Sequence, residues 1–348
     1  QTQTDGKKVI YLDEVTDDVT FIQDSKFGLQ ITADVAKDMK VVAQLLASAE
    51  DNNYSVDVEW AYLDYAASES TSLRAGRIKQ PVFLISDYLE VGYAYPWIRP
   101  PAEAYRNMPV DSIIGVQLLY QTKIGSMNFG FQPYFGSNTE GVPGTSANFF
   151  ADNYIGMALR LENRYFTMQL SSFQTDVSTV GQNSDGNSLN SEGDAVLSVA
   201  SLSWDIANFV GYTEYTTRDI SPDTSTLSNG NGFNDIPFDS LFADQDGYYV
   251  TLGYRMGKFL PHLTFATIDS TPAGELTDGF TQGARQDTIT LGLRYELNDS
   301  AALKMEYAQI ELEANAGNNG LFRRIDFANS AFVDDTTSLI SVAIDVIF

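Results

Sequence analysis

Residues 288–297 read TITLGLRYEL. Taken alternately, they separate into Ile289, Leu291, Leu293, Tyr295 and Leu297 on one side and Thr288, Thr290, Gly292, Arg294 and Glu296 on the other. Successive side chains of a β-strand point to opposite faces, so this is a strand with one apolar and one polar face. The same period runs through FGLQITADV (27–35), GVQLLYQTK (115–123) and YIGMALRLE (154–162). A soluble sandwich also alternates, so the period alone does not decide the fold.

Three further features point to a membrane barrel. The alternating segments are about ten residues long, longer than the usual strand and right for a tilted membrane-crossing one. Aromatics gather near segment ends, at Tyr65, Tyr165, Phe166, Trp204, Phe209, Tyr254, Phe259 and Tyr295, where an interfacial girdle belongs. Short turns alternate with longer loops, the latter rich in Asp, Asn, Ser, Gly and Thr. The pattern predicts strands at 26–36, 39–49, 54–66, 71–79, 110–123, 126–136, 153–162, 165–174, 194–204, 208–218, 247–256, 259–269, 286–297, 300–311 and 337–348. The longer loops fall at 80–109, 137–152, 175–193, 219–246, 270–285 and 312–336.

That makes fifteen strands, while bacterial single-chain barrels have even numbers. The last segment follows a long loop and so ends on the short-turn side. A matching first strand must rise before residue 13, either within KKVIYL (7–12) or upstream of Gln1, a first residue that points to a processed or trimmed chain. The expectation is one domain over 1–348, an all-β, sixteen-stranded antiparallel transmembrane β-barrel with eight outer loops. Sixteen strands enclose an aqueous channel, which eight would not.

Composition agrees. The 348 residues carry 21 Lys plus Arg against 46 Asp plus Glu, a net charge of −25. Nucleic acid is excluded as a partner, because phosphate binding needs clustered basic residues. Disorder is excluded by 43% hydrophobic and 12% aromatic content. There are no cysteines, hence no disulfides or zinc thiolates. No apolar run is long enough for a membrane helix.

The chain closes on VAIDVIF (342–348), with Ile344, Val346 and Phe348 on one face. LRAGR (73–77) leads into the irregular stretch 80–109, the third outer loop by this count. With the barrel pattern, these two motifs make the chain resemble the trimeric general-diffusion porins of the Gram-negative outer membrane. Phe348 resembles their assembly signal, read by the barrel-assembly machinery. The resemblance implies a homotrimer among outer-membrane lipid and lipopolysaccharide, passing small hydrophilic solutes without a cofactor. It also allows Ca2+ or Mg2+ at acidic outer loops such as 244–247 and Asp334-Asp335.

In that family the third loop folds inward, and its acidic residues face basic side chains on the wall. The loop candidates are Asp87, Glu90 and Glu103. Prolines 81, 96, 100 and 101 would stiffen the loop. Arg77 resembles the wall arginine, but Arg74 and Arg77 are three apart and face opposite sides of a regular strand unless Gly76 forms a bulge. The expectation favours Arg77 in the lumen and leaves Arg74 open. Arg160, Arg255 and Arg294 lie on polar faces and should be luminal; Arg99 and Arg106 should anchor the loop. A loop capping the mouth or packing at a subunit interface is the plainer alternative.

With its acidity, the chain should prefer cations. Tyr93, Tyr95 and Trp97 leave open a substrate-specific channel in which aromatics guide sugars or small organic acids. A secreted β-sandwich is the remaining rival, disfavoured by the continuous apolar rows. His262 is the one histidine, beside Pro261 near a short turn, and supports neither a metal site nor a hydrolytic triad.

Overall fold

The computed structural model describes residues 9–11, 19, 21, 24–50, 53–107, 112–141, 148–182, 188–228, 233–234, 244–271, 284–314, 322–324 and 335–348. Among them are eighteen strands. They are β1 (Val9–Tyr11), β2 (Lys26–Ala36), β3 (Met39–Glu50), β4 (Asn53–Ser68), β5 (Thr71–Lys79), β6 (Ser112–Ile124), β7 (Met127–Gly141), β8 (Asn148–Glu162) and β9 (Phe166–Gln182). There follow β10 (Ser188–Ile206), β11 (Phe209–Ser228), β12 (Phe233–Asn234), β13 (Asp244–Tyr254), β14 (Phe259–Thr271), β15 (Ala284–Asn298), β16 (Ala301–Ala314), β17 (Phe322–Arg324) and β18 (Asp335–Val346).

Fifteen of these form one antiparallel sheet in chain order from β2 to β18, with β12 attached to β11 alone. Every neighbour in sequence is a neighbour in space, as hairpin connections dictate. At one end the hairpins are tight. Positive φ at Asp38, Gly125, Ala207 and Gly257 lets the backbone reverse within a few residues.

The alternation read from the sequence becomes two unlike faces. Ile289, Leu291, Leu252, Leu263, Ile340, Val342, Ile344 and Val346 are all exposed on the outside. Thr251, Thr264, Gln286, Thr288, Arg294 and Lys304 are buried on the inside. A water-soluble fold buries its apolar rows; this one displays them and encloses its polar ones, which suits a hydrocarbon surround. An antiparallel wall also pairs its backbone groups from strand to strand, as the membrane interior requires. Near the short turns, Phe209 stacks edge-on against Tyr254 (5.0 Å between centroids) and Phe259 lies against Tyr295 (4.7 Å). These rungs form part of the aromatic girdle.

Two strand expectations change. Of the segment 7–12, the described residues Val9–Tyr11 lie outside the large sheet and pair with Phe322–Arg324 in a separate two-stranded ladder. The edges of β2 and β18 are not hydrogen-bonded to each other, although Phe27 stacks on Phe348 at 6.0 Å. The wall is therefore open along one seam among the described residues. The second change is length: β7, β9, β10 and β11 run well past their expected ends into the region assigned to loops.

Candidate functional site

The segment 80–107 begins where β5 ends, and instead of leaving the wall it turns inward. Its core is apolar: Val82, Phe83, Leu84, Ile85, Tyr95, Trp97 and Ala104 are all buried. Ile78 of β5 joins Val82 and Phe83 in a cluster with Ile113, Tyr134, Tyr154 and Phe173 on β6 to β9. Leu84, Ile85, Tyr95 and Trp97 form a second cluster with Tyr249 and Ala266 on β13 and β14. One short segment touches strands from β5 round to β18 and back to β2. The sheet must therefore curl around it.

Polar contacts fasten the loop point by point. Gln169 Nε2 donates to the carbonyls of Pro81, Val82 and Phe83. The Leu84 N–H donates to Glu214 Oε2 (2.8 Å). Lys304 Nζ donates to the carbonyls of Gly92 and Trp97 (2.6 Å each) and pairs with Asp345 (2.8 Å). Arg294 donates to the Tyr95 carbonyl (2.9 Å), pairs with Glu296 and lies over the Tyr93 ring. Trp97 Nε1 reaches Thr251 and Thr264 (2.9 and 3.2 Å), and the Ile98 N–H donates to Glu306 (2.9 Å). Arg99 pairs with Asp24 and donates to Ser341, and Asn107 donates to Thr216 and the Gln245 carbonyl. At Gly247 the loop presses so close that a Cβ would overlap the Glu103 carbonyl oxygen. Buried polar groups are expensive unless paired, so each bond both satisfies the wall and fixes the loop.

The short 3-10 turn Ser86–Tyr88 has a different setting. Asp87 is exposed and has no partner among the described residues. Its charge is felt by Tyr62 on β4 and by Tyr88. Burial pushes the Tyr88 hydroxyl above its ordinary range, and the Tyr212, Arg160, Glu214 and Asp87 groups also act on it. Facing this edge, Arg74 pairs with Asp64 (3.0 Å) and lies over the Tyr62 ring (4.8 Å). Arg160 pairs with Glu162 (2.9 Å) and donates to Gln169. On the short-turn side of the loop lie a cavity of about 330 Å³ lined by Tyr93, Asp205, Arg255, Arg294 and Glu296, and another of about 300 Å³ beside Lys123, Arg160 and Glu162.

The expected site residues divide accordingly. Asp87, Arg74 and Arg160 are linked through two tyrosines: Asp87 and Arg74 both act on Tyr62, and Asp87 and Arg160 both act on Tyr88. Arg74, not Arg77, shares its face with Ile78, which packs on the loop. The β5–β6 register runs without a bulge, so Arg77 falls on the opposite face, in a row with Ala61 and Ile114, the latter 63% exposed outside. Glu103 is 2% exposed and accepts from Gln286 (2.9 Å) and Thr288, two neutral partners on the wall. Tyr95 and Trp97 are each 1% exposed and packed against the wall, Tyr95 also bordering the cavity of about 330 Å³. Tyr93 donates to the Asp299 carbonyl (3.0 Å) near a short turn. Arg255 pairs with Asp205 through both nitrogens, at the cavity beneath the loop. Arg294 is largely covered by the loop it holds. His262 is buried four residues into β14, its ring against Gly292 and 4.0 Å from Glu306.

Glu90 pairs with Lys26 (2.9 Å) and Lys79 (3.5 Å), tying the loop across to β2 and β5. Burial pushes its carboxyl up, and the two ammonium groups more than offset this, leaving it below the ordinary glutamate value. A depressed carboxyl contributes attachment that is complete above the ordinary value, about 4.3, and is lost as pH falls through the lowered one. Open-channel noise is thus expected to stay flat from neutral pH to about 4.3 and to rise below it. E90Q channels should be noisy throughout and lose the acid transition, as current recordings across pH will show.

Among the described residues no group of three His, Cys, Asp or Glu is placed to hold a metal ion. The acidic stretch 244–247 is not a loop but the start of β13, where Asp244 accepts from the Ile220 N–H and Asp246 from the Tyr215 hydroxyl. Asp334 lies outside the described residues, as do the side-chain contacts of Asp335. Sequence reasoning missed Glu214, Lys304 and Glu306. Their one signal was a charge at an inward position in mid-strand.

Known proteins match this architecture. OmpT of Vibrio cholerae, an outer membrane protein, superposes with a TM-score of 0.57 at 12% identity, covering 93% of this chain and 89% of that one. The anion-selective porin from Comamonas acidovorans gives 0.53 at 15% identity, over 93% and 89%. Salmonella typhi OmpF, in complex with daunomycin, gives 0.52 at 16%, over 97% and 95%. At such identities the likeness is one of fold. No curated protein matches the chain. The sequence model described as Gram-negative porin does match, over residues 3–315, which is most of its length. The chain belongs to the Gram-negative porin family.

Proposed function

We propose that this outer-membrane porin passes small hydrophilic solutes and ions by passive diffusion, without catalysis, and prefers cations. The path runs between the 86–88 edge of the inward loop and the wall formed by β4, β5 and β8. One observation carries the preference. Arg74 and Arg160 are each neutralised by a carboxylate, Asp64 and Glu162, while Asp87 has no partner among the described residues. The opening therefore holds a surplus negative charge, and fixed charge in a narrow aqueous path sets selectivity. Tyr95 and Trp97, buried as anchors, favour general diffusion over an aromatic track for one substrate class.

Two further parts belong to this reading. A sixteenth strand, antiparallel to both edges, closes the seam between β2 and β18, because unpaired backbone in hydrocarbon costs several kcal/mol per group. Three such barrels associate, as the trimer form of Vibrio cholerae OmpT does, among outer-membrane lipid and lipopolysaccharide. Strand β18, with Ile344, Val346 and Phe348 in one row, is what the assembly machinery reads. Purified protein in planar bilayers tests the reading. Insertions should give three equal conductance steps, and a salt gradient should give a reversal potential towards the cation. A potential towards chloride overturns the preference, and saturable block by one solute class would favour the specific channel.

A further inference from the structure

Glu214 is the least expected residue of the inner wall. It sits in mid-β11, 1% exposed, a carboxylate enclosed between wall and loop. Four donors converge on it: the Leu84 N–H (2.8 Å), the Tyr249 hydroxyl (2.8 Å), the Ser201 hydroxyl (2.6 Å) and the Tyr105 hydroxyl. Two come from the wall and two from the loop, at positions near its two ends. Such convergence compensates a buried carboxylate for lost water and makes its geometry specific.

Its loop contacts lead to Asp87. Phe83 stacks on Tyr105 with 4.5 Å between centroids, so the two loop strands that Glu214 holds also hold each other. The Phe83 N–H donates to Ser86 Oγ (2.9 Å), and the Ser86 N–H returns a bond to the Phe83 carbonyl (3.2 Å). The Tyr88 N–H donates to the Ile85 carbonyl (2.9 Å), completing the turn. Asp87 sits on that turn, three residues from Leu84. Between Glu214 and Asp87 the chain has no slack: backbone bonds and one ring stack join them.

We infer that Glu214 is a positioning residue for selectivity: by gripping Leu84 and Tyr105 together, it sets how far Asp87 projects into the opening. It touches no permeant ion. This rests on the role of Asp87 given above, and the two ideas fail separately.

The test combines E214Q, D87N and the double variant in planar bilayers. Glutamine keeps the volume but brings an N–H into a ring of donors. E214Q is expected to lower the cation-to-anion permeability ratio about twofold or more as Asp87 withdraws. In the D87N background it should leave the ratio unchanged while still raising noise. Y105F, which removes one donor of four, should shift the ratio in the same direction by less, and serves should E214Q not assemble. A ratio unaltered by E214Q and Y105F overturns the inference, as does an E214Q effect that persists in full without Asp87. If D87N alone has no effect, the selectivity reading fails instead. Positioning is then judged by thiol reactivity of D87C: E214Q should change its modification rate severalfold, and an unchanged rate refutes the grip.

Discussion

Replacing Asp87 with lysine (D87K) is expected to reverse the proposed preference for cations into one for anions. The opening then changes from a surplus of one negative charge to a surplus of one positive charge, since Arg74 and Arg160 keep their partners. Two unit charges of difference, acting over roughly 5–8 Å through water, shift cation and anion by about tenfold each in opposite directions, roughly a hundredfold in permeability ratio at low salt. At physiological salt, screening over about 8 Å cuts the change to roughly eightfold. D87N should give half the effect on the logarithmic scale. Reversal potentials across a potassium chloride gradient, taken at two salt strengths, measure both. Equal effects at the two strengths would argue that Asp87 acts through loop shape and not through charge.

Replacing Lys304 with methionine (K304M) should release the far side of the loop. Lys304 is 1% exposed and holds the Gly92 and Trp97 carbonyls, while Asp345 and the Tyr95 ring (4.8 Å) hold it. Methionine fills the space but leaves two carbonyls and a carboxylate without their donor. Breaking a buried pair from one side costs about 3–5 kcal/mol, or a hundredfold or more in the docked-to-undocked ratio. The wall keeps its strand ladder, so the loss falls on the loop. Assembly should be normal, larger sugars should enter in liposome swelling assays, and conductance should rise. The double variant K304M/D345N, which removes the orphaned carboxylate, should recover part of the wild-type exclusion. Unaltered exclusion in K304M would mean that the two apolar clusters hold the loop by themselves.

The reach of the sequence can be judged from particular residues. The membrane rows were legible because lipid imposes one rule on every outward position, and Ile340, Val342, Ile344 and Val346 obey it without exception. The ends of β9, β10 and β11 were not, because there Ser, Thr, Asp and Asn occur on both faces and the period loses contrast. Arg74 and Arg77 could be told apart only by what they face: parity said that they differ, and the exposed Leu73 and Ile114 in the row of Arg77 say which is outside. Glu103, Tyr95 and Trp97 looked functional because they are polar or aromatic in a loop. Inside a barrel such residues serve equally well to anchor. Glu214 and Lys304 matter through partners 109 to 212 positions away, a separation that no local pattern records.

The chain has no cysteine, so a single introduced thiol reports one position without background. If the loop lies within the lumen, Asp87 stands at the water-filled opening and Trp97 is sealed against the wall. Single-cysteine variants D87C and W97C, held in a bilayer and exposed to a small charged thiol reagent during current recording, address this placement directly. D87C conductance should fall in discrete steps as each site reacts, whereas W97C should be unaffected. Reaction at position 97 with silence at position 87 would contradict it.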